Sequence, residues 1–307
     1  MSDEHSRCSN GSSAGLQCSP WGEHQLVFVG GLHRSGTTLL GQLIGGSDNG
    51  TSLSGTGVYM DEGQHLQDVY PTGLDLGGVS RWAQSPGAHL THKDAQRTPQ
   101  AAMRLWEAWS PHWDLSRRIL VEKSPPNLVR TSYLRELFPG AKFVLIMRHP
   151  VSQALAVWKW EKRLLVRYGV TFNWLIEHWL DAHEAMREDI AGRDDILLLN
   201  YEHLMTSPRS EFLRLASFLG LQGGLDGVEA VRPETQSRYA DLWARLERGG
   251  GRPEFGDGFG GSLRRNLTRV TMPVQGWLIR RLYADRVKSF GYDISRPTSP
   301  PAGMNAD

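Results

Sequence analysis

Residues 30–38, Gly30-Gly31-Leu32-His33-Arg34-Ser35-Gly36-Thr37-Thr38, combine the features of an anion cradle. Glycines let successive backbone N–H groups turn inward, and a helix starting near Thr37 adds the positive end of its dipole. Gly31–Thr38 fits the phosphate-loop pattern G-x-x-x-x-G-K-[ST] at both glycines and at Thr38, but Thr37 stands where the lysine belongs. That lysine reaches the β- and γ-phosphates of a triphosphate, and the adjacent hydroxyl holds Mg²⁺. In this chain the cation has moved inside the loop, to Arg34. The strongest apolar strand, Phe143–Met147, ends in Arg148 and not in a metal-binding aspartate. A guanidinium attracts an anion and repels a metal. The residues therefore predict a shorter anionic donor held without a metal. A glycine turn that merely joins strand to helix is the bland alternative.

Arg148-His149-Pro150, followed by Ser152, forms a second candidate anchor. Ligands of open α/β sheets bind beyond strand C-termini, where an arginine can fork onto phosphate and a serine can donate beside it. Two anion sites suit a donor with two separated anionic ends. A Mg²⁺–nucleotide enzyme would need one loop and a metal.

F-V-G-G-L-H-R-S-G-T-T-L-L (28–40) resembles the 5′-phosphosulfate loop of the sulfotransferase superfamily. Its R-S-G-T-T core is closer to the tyrosylprotein and carbohydrate type than to the cytosolic type with its lysine. F-V-L-I-M-R-H-P-V-S (143–152) resembles the family's 3′-phosphate motif. The resemblance implies an α/β, three-layer, P-loop-like fold with a central parallel sheet. It implies 3′-phosphoadenosine-5′-phosphosulfate as donor co-substrate, no metal, and an acceptor hydroxyl on a carbohydrate, lipid or small natural product. His33, Arg34, Ser35, Gly36, Thr37, Thr38, Arg148 and Ser152 are then expected at the donor. Tyr201, in N-Y-E-H-L, is expected near the adenine, and Arg264 and Arg265 in a basic loop over the 3′-phosphate. Glu62 is the expected general base, with His65 as alternative because cytosolic members use a histidine. Arg34 and Lys123, the latter in E-K-S-P, are expected to neutralise developing charge. The rivals are a P-loop nucleotide-dependent kinase and a catalytically silent nucleotide-binding protein.

The elements that must position these residues alternate strand and helix up to about residue 220, as a parallel α/β sheet requires. Strands are predicted at 26–29, 119–121, 143–147 and 196–199. Helices are predicted at 37–44, 61–69, 100–109, 128–138, 152–167, 174–187, 208–219 and 276–290. Residues 45–57 read as loop, 71–87 as irregular, and 222–262 as Gly-rich and poorly periodic, most of all 249–261. Trp106, Trp109 and Trp113 recur about once per helical turn, which suits core packing or a ring-stacking acceptor pocket. His89 and His92 lack companion ligands at metal-site spacing.

The chain has 307 residues, 39% hydrophobic, 22% charged, with a formal net charge of +1. That length buries a sizeable core. The expected organisation is a disordered tail over 1–24, one domain over 25–294 and a tail over 295–307. The near-neutral charge argues against a nucleic-acid partner. The two cysteines, Cys8 and Cys18, make a disulfide framework improbable. Residues 1–24 lack the apolar core of a secretory signal and no run is long enough to span a membrane, so a soluble, cytoplasmic protein is expected. Acceptor identity and oligomeric state are not encoded in any recognisable motif.

Overall fold

The structure is a computed structural model that describes residues 19–95, 100–161, 163–221, 225, 231, 234–250 and 259–302. In chain order its elements are β1 (Gln25–Gly31), α1 (Thr37–Gly45), β2 (Gly50–Ser52), α2 (His92–Ala95), α3 (Ala101–Trp109), β3 (Ile119–Lys123), α4 (Thr131–Leu137), β4 (Lys142–Met147), α5 (Pro150–Trp158), α6 (Leu164–Arg167), α7 (Asn173–Ile190), β5 (Ile196–Asn200), α8 (Tyr201–Thr206), α9 (Pro208–Leu219), α10 (Glu234–Glu247) and α11 (Phe259–Lys288).

The five strands form one parallel sheet in the order β2-β3-β1-β4-β5. Strands buried on both faces read as continuous apolar runs, which is why Phe143–Met147 was legible. Successive residues of β1 serve opposite faces. Leu26 and Phe28 enter a core with Trp109, Phe138 and Phe143, whereas Val27 and Val29 enter another with Leu40, Leu204 and Phe212. Helices cover both faces, giving the expected three layers. The chain leaves β1 toward β2 and β3, then crosses over to β4 and β5. The reversal lies between β1 and β4, and a crevice opens at their carboxyl ends. Register sets Gly30 against Leu145 and Gly31 against Ile146, so the glycine loop and Arg148 emerge side by side.

Several expectations change. Strand β2, Gly-Thr-Ser, carries no apolar pattern and exists because it pairs with β3 at the sheet edge. The helix expected over 61–69 is two 3₁₀ turns, Tyr59–Asp61 and Gly63–His65, separated by an extended Glu62. Met60 (φ 57°) and Asp61 (φ 48°) are left-handed there. The Asp61 carboxylate accepts the Thr56 amide and hydroxyl, which fixes the turn. The helix expected over 152–167 breaks into α5 and α6, because Glu161 turns inward to accept from Ser80 and from the Arg163 amide and guanidinium. Within 222–262, poor periodicity hid α10, and α11 begins at Phe259, before the predicted start at Gly276. Its Pro273 and Gly276 are poor helix formers that tertiary packing tolerates. Residues 1–18, with both cysteines, and 251–258 of the Gly-rich stretch lie outside the described residues.

The C-terminal segment straps back onto the sheet end. The His149 ring nitrogen Nε2 bonds the Asp293 carbonyl at 2.9 Å, and Ser152 donates to the Pro297 carbonyl. Across β1 lies the 3₁₀ turn Pro125–Val129. A Cβ on Gly30 would stand 2.5 Å from the Leu128 nitrogen and 2.8 Å from the Asn127 carbonyl carbon, both backbone atoms. Gly30→Ala should therefore cost about 1–3 kcal/mol, read as a lowered urea midpoint with an unchanged m-value.

Candidate active site

The crevice holds a cleft of about 260 Å³. One wall is the loop between β1 and α1. Gly36 takes φ 106°, and α1 begins with neither a side-chain cap nor an acidic residue in its first turn. The first amides of α1 are thus available to an anion. Arg34 is left-handed at φ 68°, an uncommon state for a residue with a side chain. Its carbonyl accepts a 2.7 Å bond from Arg148 Nη1, which holds the loop in that shape.

Arg148 is buried, 4% exposed, with its guanidinium 4.1 Å from the Tyr201 ring centroid and 4.9 Å from that of Tyr239. Its Nε and Nη2 have no hydrogen-bond partner among the described residues. Unpaired cationic donors in a buried site are costly, and an anion in the cleft would satisfy them. The turn after β4 is held by Glu202, which accepts the His149 amide and the Tyr292 hydroxyl, each at 2.9 Å. Burial pushes the Glu202 carboxyl up from its ordinary range, opposed by these donors and by Arg148.

At the other end of the cleft stands Glu62, 4% exposed. Its Oε1 accepts from Lys123 Nζ at 2.9 Å, and its Oε2 from Gln64 Nε2 at 2.6 Å. His65 Nε2 lies 3.8 Å from Oε2. Lys123 also donates to the Met60 carbonyl and lines an adjoining cavity of about 360 Å³, which shares Thr38 and Met60 with the cleft. Behind this pair, Gly63 is pinned from both sides. Its amide donates to Glu122 Oε1 and its carbonyl accepts the Trp109 indole N–H, each at 3.0 Å. Glu122 also accepts from Ser124 and Asn127, and burial raises its carboxyl above the usual range.

The structure thus gathers Arg34, Gly36, Thr37, Thr38, Glu62, Arg148 and Tyr201 around one cleft, with Lys123 bonded to Glu62. His33 also lines it, but as a neutral ring. Burial first, then Lys123 and His65, lower it to about 3, and its Nδ1 accepts the Trp82 indole N–H at 3.3 Å. Other expected residues are placed elsewhere. The Ser35 hydroxyl is buried without a partner among the described residues, outside the cleft lining. The Ser152 proton is committed to Pro297. Arg264 and Arg265 lie on helix α11 and not in a loop, and neither lines the cleft. Trp106, Trp109 and Trp113 are core residues, not an acceptor pocket. Sequence reasoning missed Gln64, Glu122 and Tyr239. The E-K pair at 122–123 was visible, but nothing local showed that Glu122 faces Gly63. Tyr239 lay in the stretch read as irregular.

Residues 26–224 match the sequence model of the Sulfotransferase family. The chain is 27% identical over 205 residues to a protein-tyrosine sulfotransferase of Drosophila melanogaster, covering 64% of this chain and 38% of that protein. It is 27% identical over 209 residues to protein-tyrosine sulfotransferase 2 of Gallus gallus, covering 65% and 52%. The chain therefore spans about half or less of the length of these relatives. A sulfotransferase structure from Mycobacterium avium is 14% identical, with a TM-score of 0.47 over 91% of this chain and 80% of that one. One from Alicyclobacillus acidocaldarius is 14% identical, with a TM-score of 0.45 over 72% and 92%.

Two outcomes follow from this geometry. Pyrophosphate should raise Tm by filling the cleft, and Arg148→Met should weaken its binding at least tenfold, since hydrogen bonds to charged groups are worth about 1.5–3 kcal/mol each. His178, buried beneath Trp82 with both ring nitrogens unpaired among the described residues, is lowered to about 3, chiefly by burial. Its folded pKa lies below the unfolded value of 6.5, so its contribution is full above pH 6.5 and falls as the unfolded chain takes up the proton. His178→Phe should flatten the stability-versus-pH curve between pH 6.5 and about 4 by up to ~1.4 kcal/mol per pH unit, read from urea titrations across that window.

Proposed function

The chain belongs to the sulfotransferase family, and from that premise we propose that it transfers the sulfuryl group of 3′-phosphoadenosine-5′-phosphosulfate to an acceptor hydroxyl. The observation that carries this reading is Arg148. It is a buried guanidinium with two donors unpaired among the described residues, set beside an open helix N-terminus and across the cleft from a carboxylate–lysine pair. The 3′-phosphate would engage Arg148, and the 5′-phosphosulfate would lie on the amides and hydroxyls of Gly36, Thr37 and Thr38. Tyr201 and Tyr239 offer ring faces to the adenine.

The acceptor oxygen attacks sulfur as Glu62 takes its proton. The bond from sulfur to the bridging oxygen breaks, and both electrons leave on the 5′-phosphate. 3′-Phosphoadenosine 5′-phosphate and the sulfated acceptor are the products. Before the donor arrives, Lys123 holds the Glu62 carboxylate in place through their 2.9 Å bond. Sulfuryl oxygens then compete for the lysine, freeing the carboxylate to act as base while Lys123 and Arg34 face the growing negative charge. Such preorganised cations supply the electrostatic work without a metal. His65 is 3.8 Å behind Glu62 and supports its position better than it serves as base. Relatives named for protein tyrosine make a phenolic hydroxyl the first acceptor to assay, ahead of sugar and lipid hydroxyls.

Calorimetry should detect 3′-phosphoadenosine 5′-phosphate binding without added metal. Binding of ATP with Mg²⁺ in its place would support a kinase and sink this reading. Glu62→Gln should keep the bisphosphate affinity and lower kcat by ~10²–10⁴. Undiminished turnover would remove Glu62 from the base role.

A further inference from the structure

Helix α11 is apolar on two opposite faces. Met272, Ile279, Tyr283 and Val287 are buried toward the body of the protein. Half a turn away, Leu263, Val270, Val274 and Trp277 are exposed by 51%, 70%, 54% and 59%. At about 100° per residue these four fall on one narrow stripe, roughly 21 Å long. Arg281 continues the stripe, and Arg269 stands on the side of the helix, about 100° round from it. Both are exposed and neither has an ion-pair partner among the described residues. Over the whole of α11, Phe259–Lys288, there are six arginines and one lysine against a single acid, Asp285.

The segment beside this helix has the same character. Thr271 Oγ1 and Gln275 Nε2 donate to the carbonyls of Tyr168 and Val170, and Gln275 Oε1 accepts the Asn173 amide, so the chain at 168–173 runs against α11. In the stretch that leads into it from Lys159, Trp160, Leu164 and Leu165 are exposed, with Lys159 and Arg167. The one acid of that segment, Glu161, is buried against Arg163 and Ser80. Ten of the sixteen large apolar side chains exposed among the described residues lie on these two adjoining segments. Chance scatter of surface apolar groups does not concentrate them so.

We propose that this face docks the protein flat on an anionic lipid surface. Exposed tryptophans and leucines would enter the headgroup boundary while the arginines and Lys159 face the lipid phosphates. A second copy is the poorer occupant, because α11 against α11 would bring six arginines and a lysine from each helix against a single acid, Asp285. Spanning is not implied: no helix among the described residues is long and apolar enough to cross a membrane.

Vesicle flotation of the full chain tests the proposal. Binding is expected to phosphatidylcholine vesicles containing phosphatidylglycerol, to fall with salt, and to be weak to phosphatidylcholine alone. Arg269→Glu with Arg281→Glu should weaken partitioning by roughly thirtyfold or more, from about 1 kcal/mol per basic residue at such a surface. Val270→Asp with Val274→Asp should abolish it. Unchanged calorimetric binding of 3′-phosphoadenosine 5′-phosphate would show that both variants are folded, and this control is read separately from flotation. No flotation with anionic vesicles at low salt overturns the proposal. So does a concentration-dependent dimer, seen by sedimentation, that the valine variants dissolve.

Discussion

One hydrogen bond organises the sheet end: Arg148 Nη1 to the Arg34 carbonyl. Strand order makes it possible by setting the exits of β1 and β4 side by side. The bond restrains a left-handed arginine, which in turn shapes the loop that opens α1 toward the cleft. It also uses only one edge of the guanidinium. Among the described residues Nε and Nη2 find no partner, and burial under Tyr201 and Tyr239 keeps them from solvent. Loop shape and anion hunger are thus two consequences of one buried cation.

The second organising feature is the treatment of the segment before Gln64. Two consecutive left-handed residues, Met60 and Asp61, are strained, and three separate contacts hold them. Asp61 is clasped by Thr56, the Met60 carbonyl by Lys123, and Gly63 by Glu122 and Trp109. A Cβ on Gly63 would stand 2.7 Å from Glu122 and 2.8 Å from Trp109. That close approach requires glycine there, and it brings Glu62 out in extended backbone against Lys123. Rigid support of this kind is what the base role proposed for Glu62 needs.

The legible parts of the fold were those with strong local pattern. Strands β1 and β4 announced themselves because burial on both faces demands unbroken apolar runs. The loop and Arg148 were legible because glycine spacing and a strand-end cation are local facts. Strand β2 was not, since its reason to exist is its neighbour. Nor were the breaks near residues 59–65 and 159–163, where single carboxylates, Asp61 and Glu161, capture the backbone and override helical periodicity. Ser152 sits in the first turn of α5, and its partner Pro297 is too distant in sequence for any pattern to show it. The part of helix α11 before Gly276 escaped because a helix apolar on two faces has no clean polar side to reveal its period.

The strap formed by Asp293 and Pro297 bears on how the protein comes into being. Its bonds to His149 and Ser152 span 144 and 145 residues of chain. Such pairings form late, after loop-closure entropy has been met by nearer contacts. During synthesis a nascent chain therefore carries the β1 loop, β4 and Arg148 before the segment that ties down the turn beyond them. The order in which the ribosome releases the sequence is also the order in which the cleft matures.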